Sequence, residues 1–333
     1  MQIFFEERER RPRAVWRLLA QGVIFQAATF LFLGPLAAIW FVASSPETLS
    51  GDAVASLTES PSALLLGSVS SLGAILLSLW IAGRFLDHRP VKDFGLHLNG
   101  GWWLDLAFGL ALGAVLMSGV FLVEILFGWV RVEDTFESSL PGTPFWIALA
   151  LPVVLFLCVG IYEELFSRGY QLLNMAEGLN YPSLGPRGAV VAAWIISSSI
   201  FGLVHLGNPN ATLLSAFNIA LAGLLLGASY ILTGQLAIPI GLHITWNFFQ
   251  GTVFGFPVSG LEPIGASFLS TKQSGPDLWT GGAFGPEAGL MDPIVTLIGI
   301  SLIAIWVRLR RGRVDIHTPL AEPPKVVHEN DER

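Results

Sequence analysis

Six polar residues stand in this sequence where an apolar chain has little reason to carry them. The run Tyr162-Glu163-Glu164-Leu165-Phe166-Ser167-Arg168-Gly169 sets two adjacent carboxylates and an arginine in a hydrophobic stretch. Ionisable groups in a membrane helix are expensive, so they face a bundle interior or a wet cavity. Arg168 lies four residues after Glu164, on the same helix face, and can pair with it. Glu163 is then turned about 100° away. It has no cation close in sequence, which leaves it free to act as a general base. The plainer alternative is an ion-paired cluster at the interfacial end of a helix. The second station is Phe201-Gly202-Leu203-Val204-His205, after which Asn208, Pro209 and Asn210 break a helix. A lone histidine is more often a packed, hydrogen-bonded residue than a catalyst. The third is His243-Ile244-Thr245-Trp246-Asn247, where His243 and Asn247 share one direction. Taken alone, that pair could be helix–helix glue.

Together the three stations suit hydrolysis. A carboxylate can take a proton from water, and His205 can share that water or protonate a leaving amine. His243 and Asn247 can donate to an oxyanion, and removing one such donor typically costs about 10²–10³ in rate. No serine or cysteine nucleophile is needed.

These stations must be positioned by membrane helices. Of 333 residues, 53% are hydrophobic and only 13% are charged, against about 25% charged in a soluble domain. Mean hydropathy is +0.63. Too few polar residues remain to cover soluble cores, and disorder is excluded by the same figures. One cysteine, Cys158, excludes a disulfide scaffold, and a net charge of −7 does not suggest a nucleic-acid partner. A spanning helix needs about 20 apolar residues. The sequence predicts an all-α polytopic bundle of about eight spans, near 18–43, 62–83, 102–129, 146–172, 189–207, 211–232, 235–256 and 290–307. A membrane barrel would alternate in polarity, and these runs do not.

The loops add an orientation. Arg8, Arg10, Arg11, Arg13 and Arg17 precede the first run; Arg84, Arg89 and Lys92 follow the second; Arg187 follows the fourth; Arg308, Arg310, Arg311 and Arg313 follow the last. The intervening loops hold little beyond Arg131 and Lys272. With an even number of spans the basic loops share one side, which predicts two cytoplasmic termini. The leader 1–17 mixes acids with its arginines and precedes too long an apolar run for a cleaved signal, so the first span is read as retained. The bundle is expected over 18–310, the loop 257–289 as a slack connection, and 311–333 as a disordered cytoplasmic tail. Glu124 is expected to face a neighbouring helix or line a cavity. Asn218, Gln250 and Ser197 to Ser199 are expected as helix–helix contacts. Gly223, Gly227 and Ala228 should allow close helix approach. One difficulty is depth: His205 falls late in its run, so that helix is expected to tilt or begin at the interface, with the following loop dipping back into the membrane.

The order Glu-Glu-x-x-x-Arg, Phe-x-x-x-His, His-x-x-x-Asn resembles the CAAX protease and bacteriocin-processing (CPBP or ABI) family of intramembrane proteases, also called type II CAAX prenyl endopeptidases. The resemblance covers about 140–255, and all six named positions are present. It implies Glu163 as the water-activating base with His205 as its partner, Glu164 and Arg168 as orienting groups, and His243 with Asn247 at the oxyanion. It implies a peptide or protein substrate, with or without a lipid, and the membrane of a prokaryotic cell. Glu163, His205 and His243 could also hold zinc, although the glutamate mechanism requires no cofactor. Two other function classes compete: a proton-coupled transporter, since intramembrane Glu, His and Arg also mark proton relays, and a catalytically silent scaffold or immunity protein.

Overall fold

The computed structural model describes residues 5–6, 11–44 and 60–324. Helices dominate. They are α1 (Ala14–Ser44), α2 (Pro61–Ala82), α3 (Gly100–Leu126), α4 (Ala150–Glu164), α5 (Leu173–Gly178), α6 (Gly185–Val204), α7 (Leu213–Thr233), α8 (Ala237–Asn247) and α9 (Met291–Arg311). A π-helical stretch, Leu165–Leu172, joins α4 to α5 without a break. Another, Phe248–Val253, extends α8.

Local chemistry sets the ends. Ser60 caps α2 by accepting from the Ala63 N–H, with Pro61 in the first turn. The Asn99 side chain caps α3 from the Trp102 N–H. Thr212 and Ser215 form a reciprocal capping box on α7. Gly312, left-handed at φ 75°, ends α9 after three arginines in its last turn.

Among the described residues, seven helical segments are long and apolar enough to cross a membrane, and they coincide with seven of the expected runs. The run expected at 235–256 is shorter: its helix covers Ala237–Val253. The reason is position. Residues 237–243 are all buried, and a Cβ on Gly241 would stand 2.5 Å from the Leu106 carbonyl oxygen of α3. A helix sheathed by protein need not match the lipid thickness. The result is a helical polytopic bundle.

Both described ends of the chain meet at one end of the bundle. Arg11 pairs with Glu177 at 2.7 Å, and Asn180 donates to the Ala321 carbonyl at 2.9 Å. Two expectations are corrected. The tail is ordered as far as Pro324: Thr318–Ala321 forms a 3-10 turn in which Leu320 and Ala321 are buried. Residues 325–333, most of the 44–61 loop and much of the leader lie outside the described residues. The loop 257–289 is not slack. Its strand β2 (Ala266–Gln273) pairs antiparallel with β1 (Val130–Ser138), with a bulge between Val132 and Asp134, and Phe284, Glu287 and Ala288 are buried. This segment straps the bundle end opposite to the termini.

The intramembrane polar residues away from the three stations explain that order. Glu124 is fully buried and accepts from Gln273 of β2 at 3.2 Å. Asn218 donates to the Gly289 carbonyl at 2.8 Å, and Gln250 to that of Pro257 at 2.6 Å. Glu124, Asn218 and Gln250 thus fasten the strap rather than joining helices. The small residues of α7 do admit α6: Cβ atoms on Gly223 and Gly227 would meet Ser198 and Trp194.

Candidate active site

All six expected residues converge where α4, α6 and α8 meet under the strap. Glu164, at the end of α4, is fully buried. Its Oε1 accepts from Arg168 Nη1 at 2.8 Å, as the four-residue spacing requires. The same oxygen accepts from His243 Nδ1 at 2.8 Å. Arg168 also donates to the Gly223 carbonyl at 3.1 Å, and its guanidinium lies 4.4 Å from the Phe201 ring centroid. One buried ion pair therefore ties α4, α6, α7 and α8 together. The approach of α8 depends on Gly160, where a Cβ would stand 2.5 Å from Ile244.

Glu163 differs from its neighbour. Its side chain is 20% exposed, and among the described residues no Lys or Arg comes within 4 Å of it. Tyr162 donates to its Oε1 at 3.1 Å. His243 Nε2 stands 3.8 Å from its Oε2. With Nδ1 donating to Glu164, Nε2 is the nitrogen left to face Glu163 and the cavity. The imidazole beside Glu163 is thus that of His243, which the motif order alone assigned to the oxyanion.

His205 closes α6. Its Nδ1 lies 2.7 Å from the Phe201 carbonyl oxygen. A carbonyl only accepts, so Nδ1 carries the proton and Nε2 is left for the cavity. Asn247, one turn beyond His243, is 7% exposed. Glu163, His205, His243 and Asn247 line one cavity of about 240 Å³, shared with Tyr162, Ser259 and Glu262. His205 therefore does reach the depth of the other two stations. The loop after it packs on the strap, with Asn208 donating to the Ser259 carbonyl at 3.1 Å.

The fit to zinc is poor. The Nδ1–H bond of His243 to Glu164 leaves Nε2 open and does not itself disfavour a metal. Among the described residues no three His, Cys, Asp or Glu side chains come together as a metal ion requires. No step below is routed through a metal.

Two residues here were not legible as site residues. Ser259 and Glu287 lie in the strap, far in sequence from any motif. Glu287 is buried and lines a smaller chamber of about 40 Å³ with His205, His243, Asn247 and Ser259. Burial pushes its carboxyl above the usual carboxylate range, while the Ser259 N–H and nearby His205 pull it back.

Residues 144–249 match the family model described as type II CAAX prenyl endopeptidase Rce1-like. The matched segment carries all six residues and ends two positions after Asn247. No curated protein and no solved structure matches the chain. The Rce1-like segment contains α4 to α8, whereas α1 to α3, α9 and the strap lie outside it.

Proposed function

We propose that the protein is an intramembrane endopeptidase that hydrolyses a peptide bond with water activated by Glu163. The observation that carries this reading is the contrast between the two adjacent glutamates. Glu164 is neutralised by Arg168, and Glu163 faces a cavity beside two imidazoles and an amide within the Rce1-like segment.

In the reaction, water sits between Glu163 and the scissile carbonyl. Its oxygen bonds to the carbonyl carbon as Glu163 accepts one of its protons. Negative charge moves to the carbonyl oxygen, where the Asn247 amide donates. His243 can donate there too, provided both of its nitrogens carry protons. Collapse re-forms the C=O bond and breaks the C–N bond. The amine leaves with the proton that Glu163 took, passed directly or through His205 Nε2. Glu164 and Arg168 hold His243 in place. Region 140–255 is the catalytic core and lines much of the chamber, with Leu64 and Ser68 of α2 and strap residues between Val258 and Ile264 completing its wall.

The substrate is a peptide or protein segment, processed in the CAAX manner or as a bacteriocin-like precursor, with or without a lipid. The setting proposed is a prokaryotic plasma membrane with both termini cytoplasmic, as the distribution of Arg and Lys suggests. The test is comparative proteomics of membrane peptides from cells carrying wild type or Glu163→Ala. The expected result is a set of fragments present only with wild type. Identical peptide sets would refute the assignment, and substrate flux down a gradient without cleavage would favour a transporter. Zinc content and activity after chelation test the metal-free reading, with undiminished cleavage expected.

A further inference from the structure

We propose that Glu287 is a positioning residue of this site, holding His205 through the strap. Its buried carboxylate Oε2 accepts from the Ser259 N–H at 2.7 Å and from the Ser259 hydroxyl at 3.1 Å. These bonds fix Ser259 in the left-handed region at φ 50°, a conformation uncommon for a non-glycine residue. Thus oriented, the Ser259 carbonyl accepts from Asn208 at 3.1 Å, and the Asn208 N–H donates to the His205 carbonyl at 3.1 Å. The next strap residue, Gly260, fits the same loop so closely that a Cβ would collide with the Pro209 carbonyl. Gly260 N–H also donates to the Phe284 carbonyl at 2.8 Å, three residues before Glu287. A continuous set of contacts therefore runs from Glu287 through Ser259 and Asn208 to His205.

His205 needs such support. It sits past the last full turn of α6, and the 3-10 turn His205–Gly207 that follows contains no buried residue. Without an external hold this helix end would fray. Glu287 supplies the hold from outside the Rce1-like segment and faces the same small chamber as His205, His243 and Asn247. That chamber is walled mostly by apolar side chains, and Glu287, Ser259, His205, His243 and Asn247 are its polar groups, so the group that positions His205 also completes the polar part of the wall around it.

The consequence for cleavage rests on the endopeptidase reading; the coupling to His205 does not. Hydrogen exchange of the full chain in nanodiscs, read by mass spectrometry, tests the coupling alone. Glu287→Ala should speed exchange about tenfold in peptides spanning 205–212 as well as 257–262, because local opening becomes easier. Peptides over 150–178 should keep wild-type exchange. Glu287→Gln should remain slow, since its amide oxygen still accepts from Ser259. Asn208→Ala cuts the other end of the link and should speed exchange over 205–212 while leaving 257–262 closed, which keeps the test decisive if Glu287→Ala misfolds. Wild-type exchange over 205–212 in both alanine variants would overturn the proposal. In parallel, with fluorophore-labelled β-casein as probe, Glu287→Ala should lower kcat about tenfold or more with KM within about twofold, and Glu287→Gln should recover most of it. Faster exchange over 205–212 with unchanged kcat would also overturn the positioning role. A wild-type protein that cleaves nothing refutes the endopeptidase reading instead, and the exchange result then decides the coupling.

Discussion

Two buried ionic clusters share the continuous helix from Ala150 to Gly178, and the earlier one opens onto a cavity. Near its end, Glu177 accepts from Arg11 at 2.7 Å and Arg17 at 2.9 Å and also pairs with Arg89. Arg17 in turn holds Asp87 at 2.8 Å. This clamp joins α1, the end of α2 and α5, and Arg89 donates onward to the Glu322 carbonyl. Nearly four turns earlier in the helix, Glu163 and Glu164 face one arginine and one imidazole, with a cavity of about 240 Å³ alongside. Charge burial is common to both. What separates them is saturation: in the clamp each carboxylate has its guanidinium, whereas in the upper cluster one carboxylate is left facing space that water can enter. Saturated clusters hold helices together, and an unsaturated one beside a cavity is equipped to move a proton.

The sharpest way to break the comparison is to treat the clusters alike. Glu177→Ala takes one ion-pair partner from each of Arg11, Arg17 and Arg89, two of them buried, and should destabilise the protein by about 3–5 kcal/mol. Cleavage per folded molecule should stay near wild type. Thermal unfolding in detergent, with labelled casein cleavage scaled to the folded fraction, checks both. In the upper cluster, Asn247→Ala should lower kcat about 10²–10³-fold with the unfolding temperature nearly unchanged. Equal loss of kcat and stability there would mean that Asn247 belongs to the packing and not to the reaction.

These clusters were not equally legible in the sequence. Glu163, Glu164 and Arg168 could be read because three charges in one apolar run are rare and a four-residue spacing fixes the Glu164–Arg168 pair. His243 and Asn247 were legible for the same reason. The clamp was not: Arg11, Arg17, Asp87, Arg89 and Glu177 lie in or beside segments that read as topology signals, and their partners are 70 to 166 residues away. Glu287 was hidden similarly, in a Gly- and Pro-rich loop that resembles a slack connection. Glu124, Asn218 and Gln250 were visible as polar residues in spans, yet nothing local shows that they bond the strap instead of another helix. Periodicity and hydropathy report a residue's own helix; they do not report which distant backbone carbonyl it reaches.

A smaller effect sharpens the structural side. His317 packs against Gly234 at the clamp end of the bundle, where burial, and next Arg311, hold its imidazole below the ordinary histidine range. The folded state therefore binds fewer protons there than the unfolded chain. The stability this gives is complete above the unfolded pKa of about 6.5 and is lost as pH falls through the lower folded value. His317→Gln should flatten the dependence of unfolding temperature on pH between about 5 and 8, and an unchanged slope would exclude His317 as its source.

The central claim is that Glu163 performs chemistry and does not hold the fold. Glu163→Gln keeps the size and polarity of the side chain and removes its capacity as a base. Its most direct test is cleavage of labelled casein by purified wild type and Glu163→Gln in the same nanodiscs, with unfolding temperature measured on the same samples. The expected outcome is a folded variant whose unfolding temperature matches wild type and whose cleavage is reduced about 10²–10⁴-fold. Cleavage by Glu163→Gln at the wild-type rate would contradict it.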